Sequence, residues 1–465
     1  MGEPARYVDA IPSDRAQKLA KKSVRIAFSR TELLAALENV RNVSVFRADG
    51  SRAGEYLYQM RVERDGKWLF LAQADQEKNR DVPNRQNVVI EIPGAWNVEI
   101  YNTLDGGHYP AKAEIKDGST RIRYTLYDHD SLLLRLTPAP RTIDIPAHGD
   151  NNSVKDYIQV QRPWGKVPVT LSEPNTLLLD MAEYSLDGEE WAEPEEILRI
   201  DNILRERLGW PLKVEAFAQP WTRKKEKAEH TLALRYTIDS ALDIRNVKLA
   251  TEHPEDLTIS WNGVEIDTKA DGWYVDPAIC TIPIGDVQEG QNILIIEMPY
   301  KVETNVEWSY LLGDFGVEVH GDHSRITEPV RSLYFGDWTV QGLPFYGGNV
   351  TYHFEVEGNG GECLLEASKY RNPLLKVRVD GEEKGVLAYA PYRISLGRLD
   401  GVHKVELTAF GNRVNSFGPV HLCDEKEAWC GPMAWRSEGT RFCYEYQLKR
   451  TGILSAPVLL LEKEE

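Results

Sequence analysis

The stretch YLYQMRVERDGKWLFLA, residues 56–72, decides the fold class. Tyr56, Tyr58, Met60 and Val62 alternate with Leu57, Gln59, Arg61 and Glu63. That period of two sends successive side chains to opposite faces of a strand. Asp65-Gly66 supplies a turn, and Trp68, Phe70 and Ala72 resume the alternation, so the stretch predicts a β-hairpin. Short runs at 87–92, 97–101, 121–127 and 131–137 follow at the spacing of an antiparallel sandwich. Turn residues such as Pro93-Gly94 and Asp105-Gly106-Gly107 separate them.

Strand-dominated sequence returns over 212–319 and 332–461, and there a weak internal repeat is legible. Its first copy reads Trp261-Asn262-Gly263-Val264, Asp276-Pro277, Ile282-Pro283-Ile284-Gly285 and Gly290-Gln291-Asn292. Its second reads Val379-Asp380-Gly381-Glu382, Ala390-Pro391-Tyr392, Ile394-Ser395-Leu396-Gly397 and Gly401-Val402-His403. Each copy describes a strand ending in an NG or DG turn, a long connection, an edge-like strand, and a glycine turn into a buried strand. The expected fold is all-β: tandem antiparallel sandwiches of jelly-roll type with short connecting helices.

Two helices are expected. Ser29 and Glu32 form a capping-box pattern, Phe28 can staple onto Leu33, and the helix runs to about Val40. The second opens with Pro194 at a first helical position, carries Ile197, Leu198, Leu204 and Leu208, and stops at Gly209.

The chain has 465 residues, enough for about three domains at the usual ~100–200 residues each. A net charge of -17 with no basic stripe argues against nucleic acid and anionic lipid as partners. No apolar run approaches the ~18 residues a membrane helix needs, and residues 1–30 carry no apolar core of a secretory signal. Localisation is otherwise open. Five cysteines, an odd number, do not make a disulfide framework, and their spacing has no zinc knuckle, so neither a metal nor another cofactor is expected.

The repeat resembles the C-terminal half of large bacterial glycoside hydrolases related to the α-L-rhamnosidases and family 2 enzymes. So do Asn175-Thr176-Leu177-Leu178-Leu179-Asp180, Leu312-Gly313-Asp314-Phe315, Gly342-Leu343-Pro344-Phe345-Tyr346-Gly347-Gly348 and Asn415-Ser416-Phe417-Gly418-Pro419-Val420-His421. The resemblance implies a catalytic barrel, an α/β domain, and then sandwiches that include galactose-binding-like jelly rolls. On that reading residues 1–42 are the remnant of a preceding α/β domain and 43–145 a β-sandwich. Residues 146–210 are then a connector with a helix, 211–320 a galactose-binding-like sandwich, and 330–465 a C-terminal galactose-binding-like jelly roll. The barrel is absent from this pattern, so the resemblance implies a non-catalytic, carbohydrate-associated region whose partners are a glycan and a separate or upstream catalytic barrel. An active glycoside hydrolase and a pure scaffold are the alternatives.

No carboxylate pair of glycosidase type is recognisable. Asp187, Glu189 and Glu190 read as a turn, while Asp314 with Glu318, and His320 with His323, read as surface loop. No catalytic residue is assigned. Sugar recognition needs an aromatic face and polar groups in a shallow cleft. Trp338, Phe345, Tyr346, Tyr392, Trp429 and Trp435 lie in or beside Gly/Pro-rich loops, and Arg393, Asn415 and His421 could fix hydroxyls. These nine are the expected carbohydrate-binding residues.

Overall fold

Tyr56–Val62 and Lys67–Gln73 pair antiparallel from Val62↔Lys67 to Tyr56↔Gln73 in the computed structural model, which describes residues 4–74, 79, 81–82, 84–103, 106–140, 151, 157–213, 227–423 and 439–462. The hairpin is the expected one. Its buried set on the return strand is Leu69 and Leu71, and Trp68 and Phe70 face outward. The chain divides into two compact units, residues 1–155 and 156–465.

The first unit packs a four-stranded sheet (Ser44–Arg47, Arg85–Pro93, Ser119–Tyr127, Ala113–Lys116) against a five-stranded one (Tyr56–Val62, Lys67–Gln73, Ser131–Pro138, Trp96–Tyr101, His108–Pro110). The two sheets share a core of Leu69, Ile90, Ile100, Ile122 and Leu134. Ahead of it, Arg30–Leu37 forms the first expected helix. Ser29 Oγ accepts from Glu32 N–H at 3.1 Å, and a 3₁₀ turn continues over Glu38–Val40. Phe28 is 89% exposed, so the cap forms without burying its staple.

In the second unit, the segment expected to be a connector supplies strands to two cores. Asn175–Leu179 starts a five-stranded sheet that continues through Ser309–Gly313, Ile244–Glu252, Asp276–Val287 and Gly272–Tyr274. The opposing sheet runs Ala192–Glu196, Met181–Leu186, His230–Ser240, Gly290–Tyr300, Thr258–Trp261, Val264–Glu265. Leu177, Leu249, Leu311 and Ile282 meet Leu234, Tyr236, Ile259 and Ile296 between them. The C-terminal sheet is built on two 17-residue strands, Val350–Glu366 and Arg393–Ala409, whose register shifts after Asn359 and Cys363. Such bulges bend a strand and let one sheet wrap a core, here Tyr352, Leu365, Val377 and Leu407. Tyr157–Gln161 and Val167–Leu171 join this sheet. Among the described residues, pairing is antiparallel apart from Asp239–Ser240 with Arg325–Ile326. No helix of the described residues is long and apolar enough to cross a membrane.

The repeat has a physical basis. Asn262-Gly263 and Asp380-Gly381 both have positive φ (49° and 79°; 50° and 83°), the geometry of a tight hairpin turn that glycine at the second position makes cheap. In each, the turn residue hooks the next strand. Asn262 Oδ1 accepts from Ile293 N–H, and Asp380 Oδ1 accepts from Lys404 N–H. Asp187-Gly188 makes the same hook to Thr231 N–H, with His230 against its carboxylate at 2.7 Å as His403 is against Asp380 at 2.6 Å.

The second helix, Ile197–Arg207, starts three residues later than Pro194 suggests, because Pro194 belongs to the strand Ala192–Glu196. The cap is Glu196, whose carboxylate accepts from Leu198 N–H and Arg199 N–H at 3.1 Å each. Gly209 (φ 69°) follows its end, as expected. Ile197, Leu198, Ile200 and Leu204 are buried, so the helix is core as well as connection.

Candidate functional site

The seven expected sugar contacts that lie among the described residues do not converge on one cleft. Trp338 and Phe345 are fully buried and Tyr346 nearly so, packed as core plugs that leave no ring face to a ligand. Tyr346 Oη takes part in three short contacts, with Ser172 N–H, Glu173 N–H and Asn349 O. The Gly347-Gly348 pair exists for packing: a Cβ would stand 2.5 Å from Arg413 Cδ at the first and 2.5 Å from Tyr346 Oη at the second. Tyr392 and Arg393 lie elsewhere and are half-buried, Tyr392 edge-on to Tyr370 and Arg393 held by Glu366 at 2.5 Å. Trp429 and Trp435 lie outside the described residues.

Asn415 and His421 belong to a strap. Residues 411–423 leave the C-terminal sheet, cross the end of the middle sandwich, and return as 439–454. Asn415 bonds Lys449 through both its N–H group and its Oδ1, Ser416 Oγ donates to Phe345 O, and Gln447 N–H donates to Val420 O. At the centre of the anchorage is Asp180, 1% exposed. Its Oδ2 faces His421 Nε2 at 2.8 Å and its Oδ1 accepts from Tyr446 OH at 2.6 Å. His421 Nδ1 donates to Cys443 O at 3.0 Å, which leaves Nε2 to carry a second proton toward the carboxylate. Burial pulls the His421 pKa down, but the hydrogen bond and charge of Asp180, helped by Glu196, outweigh it and raise it. Glu196, fully buried, is pushed up to about 7 by desolvation, against the hydrogen bonds from Trp308 Nε1 and Leu198 N–H.

Both groups bind a proton more tightly folded than unfolded, so the stability they add is complete below the unfolded pKa and is lost as pH rises through the folded one. For Glu196 the window is about 4.5 to about 7. The stability of the second unit is expected to fall by roughly 3 kcal/mol across it from this group. Denaturant titrations at pH 5 and pH 7 check this: Glu196→Gln should remove most of the slope, and an unchanged slope would assign it to other groups.

An open groove of about 1330 Å³ lies on the outer face of the five-stranded sheet, beside the strap. Thr176, Tyr310, Leu312, Lys248 and Thr281 share that face by register. Phe417 of the strap covers part of it, packed on Tyr310 and Tyr274 at centroid distances of 5.2 and 6.1 Å. The rest is open. Trp273, on the sheet's edge strand, is 60% exposed at the rim. Arg413 grips Glu173 with both terminal nitrogens and reaches Tyr274 OH at 3.3 Å. Arg331 grips Asp314 in the same way. Lys248 pairs with Asp271 at 2.7 Å; its hydrogen bond, with that of Thr281 Oγ1, lowers the Asp271 pKa. The lining therefore combines one exposed indole with forked donors and carboxylate acceptors fixed in place by one another.

No protein-family model matches the chain, and no curated protein matches it. Its likenesses are to solved structures. A rhamnosidase from Novosphingobium sp. PP1Y is similar over 93% of this chain and 26% of its own, at 14% identity and a TM-score of 0.38. The Streptomyces avermitilis α-L-rhamnosidase complexed with L-rhamnose is similar over 90% and 39%, at 12% identity and 0.20. The β-D-mannosidase of Dictyoglomus thermophilum is similar over 51% and 31%, at 10% identity and 0.20. The chain thus spans about a quarter of the first enzyme's length and under two-fifths of the second's.

Trp273, Glu173, Arg331 and Arg413 escaped the sequence reading. The signal for Trp273 was present: Asp271-Gly272-Trp273-Tyr274 puts an aromatic next to a glycine in the first repeat copy, where the second puts one next to a proline, Pro391-Tyr392. The arginines gave none, since their partners lie 17 and 240 residues away.

Proposed function

We propose that the chain is a non-catalytic, carbohydrate-associated region of a glycoside hydrolase, and that the groove over the five-stranded sheet is its glycan-binding face. The observation that carries this is Trp273, an exposed aromatic residue on the edge strand and among those that line a polar groove. A pyranose offers an apolar face to such a ring and hydroxyls to the forks of Arg331 and Arg413. The motifs at 175–180, 312–315, 342–348 and 415–421, which resemble those of the rhamnosidase-related enzymes, support the glycoside hydrolase setting. The catalytic barrel would be a separate or adjoining partner.

An acid catalyst must hold a proton near neutral pH and stand about 5–10 Å from a second carboxylate. Glu173 and Asp314 are each clasped by a guanidinium that occupies both carboxylate oxygens, the atoms either catalytic role would need. Binding without turnover is the expected behaviour. A glycan array probed with the full chain should give hits, and a panel of aryl glycosides should show no turnover above background. Turnover lost in both Glu173→Gln and Asp314→Asn would replace this reading with an enzyme, and an empty array would leave a scaffold.

A further inference from the structure

The strap has a neck. Among the described residues, its outgoing and returning arms meet at one antiparallel bridge, Leu422↔Phe442, flanked by Cys443 N–H to His421 O at 3.1 Å and Cys423 N–H to Arg441 O at 2.8 Å. Each cysteine therefore follows a member of the bridged pair, and the two are diagonal neighbours across the ladder. A diagonal pair of this kind places both side chains on the same face of the ladder. Both now donate to carbonyls, Cys423 Sγ to Arg441 O at 2.9 Å and Cys443 Sγ to Glu445 O at 3.3 Å. Cys423 is exposed and Cys443 half-buried.

We propose that Cys423 and Cys443 are a dithiol modification site, oxidised by small-molecule disulfides to a cystine that closes the neck of the strap. The exposed Cys423 thiolate attacks one sulfur of the reagent, the reagent's S–S bond breaks, and one thiolate departs with the bonding pair. Cys443 then gives up its proton and attacks Cys423 Sγ, forming the protein S–S bond and expelling the second thiolate. Two protein thiols lose two electrons in all, the reagent gains them, and the two protons end on the released thiols. Cys423 is exposed and Cys443 half-buried, with burial first and then Cys423 raising the Cys443 pKa, so the reagent meets Cys423 first. Diagonal neighbours stand roughly 7–8 Å apart at Cα, at the edge of what a disulfide spans, and a ladder of one pair can shear the last ångström or so. The bond would pin the two arms that carry His421 and Tyr446 to Asp180.

The test incubates the full chain with oxidised glutathione and maps disulfides after alkylation and trypsin digestion. Cys423, Cys430 and Cys443 fall in three different tryptic peptides, 414–426, 427–436 and 442–449, so each pairing has its own mass. The expected result is a 423–443 link that dithiothreitol reverses and that persists in Cys430→Ser. Cys443→Ser should hold glutathione on Cys423 as a mixed disulfide. The oxidised chain should melt roughly 5 °C higher, as closure of a loop of about twenty residues predicts. No link, a dominant link through Cys430, or a 423–443 link with no rise in melting temperature would overturn the proposal.

Discussion

Asp180→Ala is expected to destabilise the second unit by about 3–5 kcal/mol, the cost of removing one partner from a buried charge pair. Asp180 holds His421 Nε2 and Tyr446 OH at once, on opposite arms of the strap. Without it, burial is opposed only by the charge of Glu196 and the hydrogen bond to Cys443 O, so the His421 pKa should fall below its ordinary value, and the phenol of Tyr446 loses its acceptor. Chemical denaturation monitored by intrinsic fluorescence measures the loss. Its second readout is the His421 imidazole titration by NMR, which should move from above 6.5 to below it. The double variant Asp180→Ala, His421→Ala should cost less than the sum of the two single changes, since both remove one interaction. Additive losses, with no movement of the histidine, would contradict the anchor.

Arg205→Met is expected to cost a similar ~3–5 kcal/mol for the same reason in another place. Within Ile197–Arg207 the Arg205 and Asp201 side chains are 1% and 0% exposed and joined at 2.7 Å. Tyr300 OH donates to Asp201 at 2.9 Å, and Arg205 Nη2 reaches Val302 O at 2.9 Å and Thr304 O at 3.3 Å. The substitution leaves the Asp201 carboxylate without its counter-ion and the carbonyls without that donor. Asp201→Leu with Arg205→Met should be milder than Arg205→Met alone, because the stranded charge goes too. Thermal melts of the three proteins decide it, and a double variant worse than the single would mean that the carbonyl contacts dominate.

The hairpin at 56–72 was legible because its alternation and Asp-Gly turn agree, and the repeat because Asn262 and Asp380 each hold a strand through one side-chain oxygen. What was not legible depends on distance in sequence. Trp338, Phe345 and Tyr346 have the glycine and proline neighbours of loop residues, but Phe345 is covered by a strap about seventy residues later, where Ser416 bonds Phe345 O, and Trp338 and Tyr346 join the core of the C-terminal sheet. The Asn415–His421 motif looked like a ligand clamp for the same reason that makes it an anchor: both uses need a histidine and an amide in a fixed turn. Pro194 fits a helix start, but the better cap is Glu196, a residue whose carboxylate also serves Trp308. The groove depends on Glu173–Arg413, a contact no local pattern encodes.

Calorimetric titration of the full chain with an oligosaccharide identified on the array, beside the same titration of Trp273→Ala, tests the central claim most directly. Stacking and a few hydroxyl contacts against water give a shallow site a Kd on the order of 0.1–1 mM. The account predicts such binding in the parent chain, a loss of roughly tenfold or more in Trp273→Ala, and unchanged melting of the variant, since the ring is exposed. Equal affinity in the two proteins would contradict the assignment of the groove.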